Sequence, residues 1–147
     1  MSDSIADMLS KVHSNIPISR QMEFAIITLD TESINTRAPL EPNINIHGTG
    51  FAGSLYSLAI LTAWSYASYL IDQNGLNAEL VIGSGKIRYK SPIESDIECD
   101  CHALKKDIDL FIDTLVAGRR AKLNLEVSVN KDKAVVQALM VATPEGR

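Results

Sequence analysis

Between Glu41 and Asp72 the sequence has no Asp, Glu, Lys or Arg, an uncharged stretch long enough to cross a bilayer. A Lys/Arg cluster that would orient a span is also missing, since acidic Glu41 and Asp72 flank the stretch. Ser54, Ser57, Thr62, Ser65, Ser68 and three tyrosines recur along it, whereas lipid-facing spans are more uniformly aliphatic. These features exclude the membrane reading. Cysteine is scarce: Cys99 and Cys101 are the only two, too few for a disulfide framework. The polar start MSDSIADMLSKVHSN is no signal peptide, so a reduced, cytoplasmic protein is expected. Basic charge is in deficit, 14 Lys and Arg against 18 Asp and Glu for a net charge of -4, which argues against nucleic acid as the main partner. Internal repeats and low-complexity tails are absent, and 147 residues suit one domain, 1–147.

An uncharged helix in a non-membrane chain has to lie at the centre of its fold. The stretch predicts a helix from about Gly50 to Gln73, stopped by Asn74 and Gly75. Around it the periodicity is mostly that of strands. Residues 1–17 form an amphipathic helix with Ser2, Asp3 and Ser4 as cap candidates and Ile5, Met8, Leu9 and Val12 on its apolar face. MEFAIITLD reads as a strand and TESINTRAPL as a weaker one or an extended arm. AELVIGSGKIRYK and ESDIECDCHAL, on either side of SPIE, read as a hairpin. Leu80 and Ile82 have the opposite parity to Ile87 and Tyr89, which predicts a β-bulge near Gly83-Ser84-Gly85. KKDIDLFIDTLVAG predicts a short helix over a sheet edge, and two alternating strands joined by NKDK close the chain. The expected class is α+β: one long helix wrapped by a curled, mainly antiparallel sheet of five to six strands.

Chemistry concentrates where the chain enters the helix, N45-I-H-G48-T-G-F51-A-G53-S. The first amides of a buried helix have no helical acceptor and sit at the positive end of its dipole, where a carbonyl oxygen could be polarised. Spacing alone is equally met by a tight glycine turn into a packed helix.

This entry resembles that of hot-dog fold thioesterases, Asn-x-x-Gly-x-x-His-Gly-Gly, with Asn45, Gly48 and Gly53 in register. GTGFAGSLYSLA followed by KIRYKSPI is closer still to the thioesterase-like domain at the C-terminal end of YiiD-type acetyltransferases, here without an acetyltransferase half. The resemblance implies hydrolysis of acyl thioesters of coenzyme A or acyl carrier protein, with no cofactor or metal. By position, Asn45 would orient the attacking water or the thioester, and the Ala52 and Gly53 amides would form the oxyanion site. Phe51 and Tyr56 would line an acyl slot at the interface of a homodimer or dimer of dimers. The pattern is incomplete: Phe51 replaces its histidine, Ala52 replaces its middle glycine, and Ile60 stands where some members carry a helix carboxylate. Nothing ionisable except tyrosine lies between Gly48 and Ile71, so catalysis needs Asn45, His47, Thr49 or a partner-subunit group. His47 is the candidate base, Ser84 a candidate polar contact at the bulge, and Arg88, with Lys86 and Lys90, a candidate phosphate or carrier contact. Arg119, Arg120 and Lys122 make a second basic cluster. Cys99, Cys101 and His102 resemble a metal set only in composition, because on a strand the cysteines share a face that His102 does not. Two rivals stand beside hydrolysis: a non-catalytic acyl-thioester-binding or assembly domain, and an acyl dehydratase, for which no His and carboxylate pair is evident.

Overall fold

The computed structural model describes residues 2–145; the side chains of the cap candidates Ser2 and Asp3 lie outside what is described. In chain order the elements are α1 (Ser2–Asn15), α2 (Ile18–Gln21), β1 (Ala25–Leu29), β2 (Ser33–Ala38), a 3-10 turn (Glu41–Asn43), α3 (Ala52–Gln73), β3 (Ala78–Tyr89), β4 (Ile97–His102), α4 (Lys105–Val116), β5 (Ala121–Val129) and β6 (Ala134–Pro144). The six strands form one sheet, ordered β1-β2-β4-β5-β6-β3, with every neighbouring pair antiparallel.

The sheet curls around α3, which packs against β2 through β6. On the side the sheet leaves open, α1 lays Met8 and Val12 into the core. There Lys11 Nζ donates to Ser68 Oγ at 2.8 Å and stands 5.5 Å from the centre of the Trp64 ring. Sheet and α1 together keep Leu55, Leu58, Ala59, Ala63, Tyr66, Ala67 and Leu70 from water, which is why no charge could be tolerated there. Thr62 fits the interior by bonding locally: its Oγ1 donates to Leu58 O at 2.7 Å and meets Thr36 Oγ1 at 2.7 Å, whereas buried Ser65 Oγ has no hydrogen-bond partner among the described residues. Among the described residues no helix is long and apolar enough to cross a membrane.

Two expectations fail. AELVIGSGKIRYK and ESDIECDCHAL are not hairpin partners: β3 pairs with β6, while β4 lies between β2 and β5. The intervening SPIE is a crossing, because Ile93 is buried in the core and its carbonyl accepts Gly50 N at 2.8 Å. Asn130 Nδ2 secures the same crossing by donating to Asp96 O at 2.9 Å. The second failure is α4, which packs through Phe111, Ile112 and Leu115 on β5 and β6, interior strands rather than a sheet edge. The predicted bulge is present, a register shift between Ile82 and Ser84 against β6. Cys99 and Cys101 face the core and His102 is exposed, as alternation requires.

Candidate active site at the tip of the central helix

The loop from Ile44 to Gly50 closes on itself through an isolated bridge between those two residues. Asn45 N donates to Thr49 O at 2.8 Å, and Gly48 N to Asn45 O at 3.1 Å. Gly48 sits at φ +82°, a backbone region that side-chain-bearing residues rarely adopt. Asn45 organises the loop: Oδ1 accepts His47 N at 2.8 Å and Thr49 N at 3.1 Å, and Nδ2 donates to Thr49 Oγ1 at 2.9 Å and Gly50 O at 3.3 Å. These bonds use both donors and both acceptor positions of the amide. Donation from Asn45 to a substrate therefore has to displace one of them. Buried Asn43 fixes the loop's base, accepting Phe51 N at its carbonyl at 2.7 Å and donating Nδ2 to Met22 O and Pro39 O, each at 2.9 Å.

This framework leaves α3 with an open tip. Phe51 is the N-cap, extended at φ -68° and ψ 129°, and no side chain caps the helix. Leu55 N is the first amide to find a carbonyl, that of Phe51 at 3.0 Å. The amides of Ala52, Gly53 and Ser54 have no acceptor among the described residues, and Ala52 and Gly53 are exposed. Their N–H groups add to the positive end of a helix dipole whose body is buried, where an oxyanion is favoured. Phe51 is 53% exposed and its ring flanks the tip: a Cβ on Gly53 would stand 2.7 Å from Phe51 Cε2. Tyr89 closes the other side, donating Oη to Ala52 O at 2.9 Å. Burial raises the Tyr89 phenol above its usual range and the nearby Tyr56 adds to it, so Tyr89 holds its proton and that hydrogen bond.

Six of the expected residues thus belong to the helix entry: Asn45, His47, Phe51, Ala52, Gly53 and Tyr56. His47 is exposed, and its ring has no hydrogen-bond partner among the described residues. Tyr56 is half-buried and reaches across to Gly85 on β3. Ser84 lies exposed at the bulge. Arg88 points the other way from Tyr89, and with Lys86, Lys90, Glu126, Asp132 and Gln137 it borders a cleft of about 330 Å³ on the outer face of the sheet. The sequence reading missed Tyr89 and Ile93 as site supports. Tyr89 was recoverable from its parity with Ile87 after the bulge, and Ile93 from being apolar inside an apparent turn. A larger cleft of about 780 Å³ lies at the opposite end of α3, between Glu32, Leu70, His102, Ile108 and Asp113, away from the open amides.

The profile of a family described as "Putative thioesterase (yiiD_Cterm)" matches residues 5–142. Among solved structures, the "putative thioesterase from Shewanella oneidensis" is 31% identical, with a TM-score of 0.89 over 98% of this chain and 100% of that one. A protein of unknown function from Chlorobaculum tepidum is 25% identical with a TM-score of 0.89, covering 95% of this chain and 94% of that one. A Pseudomonas aeruginosa protein described as a "Probable Thioesterase" shares the fold at 19% identity, with a TM-score of 0.76 and 91% of each chain covered. The chain therefore belongs to the family described as "Putative thioesterase (yiiD_Cterm)", and its curled sheet around a central helix is the hot-dog fold.

Proposed function

We propose that this single hot-dog domain hydrolyses acyl thioesters carried by coenzyme A or acyl carrier protein, in the cytoplasm and as a homodimer or dimer of dimers. The observation that carries the reading is the set of acceptor-free amides at Ala52, Gly53 and Ser54 on the end of a buried helix. A thioester oxygen placed on the Ala52 and Gly53 amides gains charge as water adds to the carbonyl carbon. Fixed donors aimed at that charge stabilise the transition state more than the ground state. Collapse of the adduct breaks the C–S bond, releasing the carboxylic acid and the carrier thiol. Asn45 contributes by holding the loop that presents the amides, and it orients water or thioester when the Thr49 Oγ1 bond is exchanged for one to the substrate. His47 is the ionisable group that the loop itself offers as base. Phe51 and Tyr56 contact the acyl group, while Arg88 with Lys86 and Lys90, on the outer face of the sheet that Ser84 shares, holds the phosphates of coenzyme A or the acidic surface of a carrier protein.

A specific absence favours a second reading. No carboxylate stands on α3 before Asp72, so the fold also suits an acyl-thioester-binding domain without turnover. A panel of acyl-CoA and acyl-carrier thioesters with a thiol-reactive dye separates the two. Hydrolysis is expected, and Asn45→Ala is expected to lower kcat/KM at least tenfold, or about 1.4 kcal/mol of transition-state stabilisation. His47→Ala should lower kcat while leaving KM little changed, as loss of a general base does. Binding without thiol release across the panel selects the binding domain; turnover undiminished in Asn45→Ala overturns the mechanism.

A further inference from the structure

The side of α3 that looks at the edge strand β3 is closed. Tyr56, Ile60 and Trp64 follow one another at i, i+4 and i+8, so they project from one stripe of the helix, and all three are half-buried. Trp64 Nε1 donates to Leu80 O at 3.0 Å and pins the far end of the seam to the strand. Tyr56 blocks the near end. A Cβ built on Gly85 would lie 2.0 Å from Tyr56 Oη and 3.0 Å from its Cζ, so the phenol occupies the volume that any side chain at position 85 would fill. Ile82 Cδ1, 3.4 Å from the same point, walls the pocket in which the hydroxyl sits. Among the described residues the Tyr56 hydroxyl has no hydrogen-bond partner, so packing alone holds the ring across the seam.

The acceptor-free amides lie one helical turn before Tyr56. An acyl chain with its carbonyl on those amides and its tail directed along α3 toward β3 advances one turn, ~5.4 Å or roughly four extended methylenes, before it meets the phenol. Beyond it, half-buried Ile60 and Trp64 continue the same stripe to the Trp64 bond with Leu80 O.

We propose that Tyr56 is a specificity-determining residue that limits this site to short acyl groups, up to roughly four carbons by the one-turn length of the helix. The inference rests on the thioesterase reading above, and it separates Tyr56 from the amides that perform the chemistry. The phenol acts as a wall at the end of a one-turn slot.

The test compares the wild-type chain with Tyr56→Ala, Tyr56→Leu and Tyr56→Phe in two assays. One is calorimetric binding of S-ethyl-, S-butyl-, S-octyl- and S-dodecyl-CoA thioethers; the other is hydrolysis of acetyl, butyryl, octanoyl and lauroyl groups on coenzyme A and on carrier protein. In the wild type, butyl or butyryl should be favoured over octyl or octanoyl by at least tenfold. Tyr56→Ala and Tyr56→Leu should each shift that ratio at least tenfold toward the longer chain, while Tyr56→Phe, which keeps the ring, should retain the short-chain ratio. A merely structural tyrosine would lower all chain lengths together and leave the ratio fixed. Equal acceptance of octyl and butyl by the wild type, or an unshifted ratio in both shortened variants, overturns the inference while hydrolysis stands. Chain-dependent binding without thiol release overturns hydrolysis but supports the wall. Absence of both binding and turnover overturns the two together.

Discussion

Gly85 and Tyr56 form a pair that neither residue reveals alone. With the Gly85 Cβ position 2.0 Å from Tyr56 Oη, Gly85→Ala must displace the ring or the strand. Overpacking of this kind costs roughly 1–3 kcal/mol. Tyr56→Phe removes the atom in closest approach, so urea denaturation of the two single variants and the double variant should give a coupling energy of about 1 kcal/mol or more in favour of the double. Additive effects would mean that the ring sits elsewhere in solution. At this scale the sequence was legible only where the backbone itself does the work. Asn45, Gly48 and Gly53 could be placed because turn geometry and helix entry have local signatures. The Tyr56–Gly85 contact could not, because it joins residues far apart in the chain, and a glycine beside a bulge already had a local explanation. The internal bonding of Asn45 was hidden for a similar reason: its residue type suits both a loop organiser and a substrate contact.

Strands and helices were readable wherever burial alternates with a fixed period. β5 shows this most clearly, with alternate residues buried from Ala121 to Val129. A parity change within β3 was enough to locate the bulge. Pairing was less legible, because period two says which face is buried but not which strand lies alongside. The crossing at Ile93 joins β3 to a strand three places away in the sheet, although its length also suits a hairpin. β4 carries the element-scale prediction. Its inward residues Cys99 and Cys101 are buried against α3, and burial pushes each thiol from 9.0 to about 12. A thiol with a folded pKa above its unfolded one keeps a proton that the unfolded chain gives up. The stability it contributes is therefore fully present below about pH 9 and is lost as pH rises toward about 12. Each thiol contributes a slope of up to about 1.4 kcal/mol per pH unit within that window. Urea midpoints under reducing conditions should fall between pH 9 and 10.5 in the wild type. The decline should be shallower in Cys99→Ala/Cys101→Ala, and an identical decline in both would refute the assignment.

The open sheet ends in two edge strands, the five-residue β1 and the much longer β3. β3 runs for 12 residues with β6 as its neighbour on one side and, among the described residues, no strand on the other. Val81, Ile82 and Tyr89 on that strand are 49%, 37% and 51% exposed, and half-exposed Phe51 belongs to the adjoining helix tip. Long apolar edges are aggregation-prone unless something covers them, and a twofold copy of the same strand covers them with self-complementary hydrogen bonds. The same pairing would set a second subunit beside the open amides, where it could complete the acyl slot and supply the base that α3 lacks. Sedimentation equilibrium at micromolar concentration should accordingly give at least twice the mass of one chain. Val81→Glu places like charges on both copies of an exposed position, where a monomer loses little stability. It should therefore lower the mass toward one chain and reduce thioester turnover in step, with the urea midpoint changed far less than either. A wild-type chain that sediments alone, or a Val81→Glu chain that is monomeric yet fully active, would show that the edge is covered by something other than a second copy and that one subunit suffices for the site.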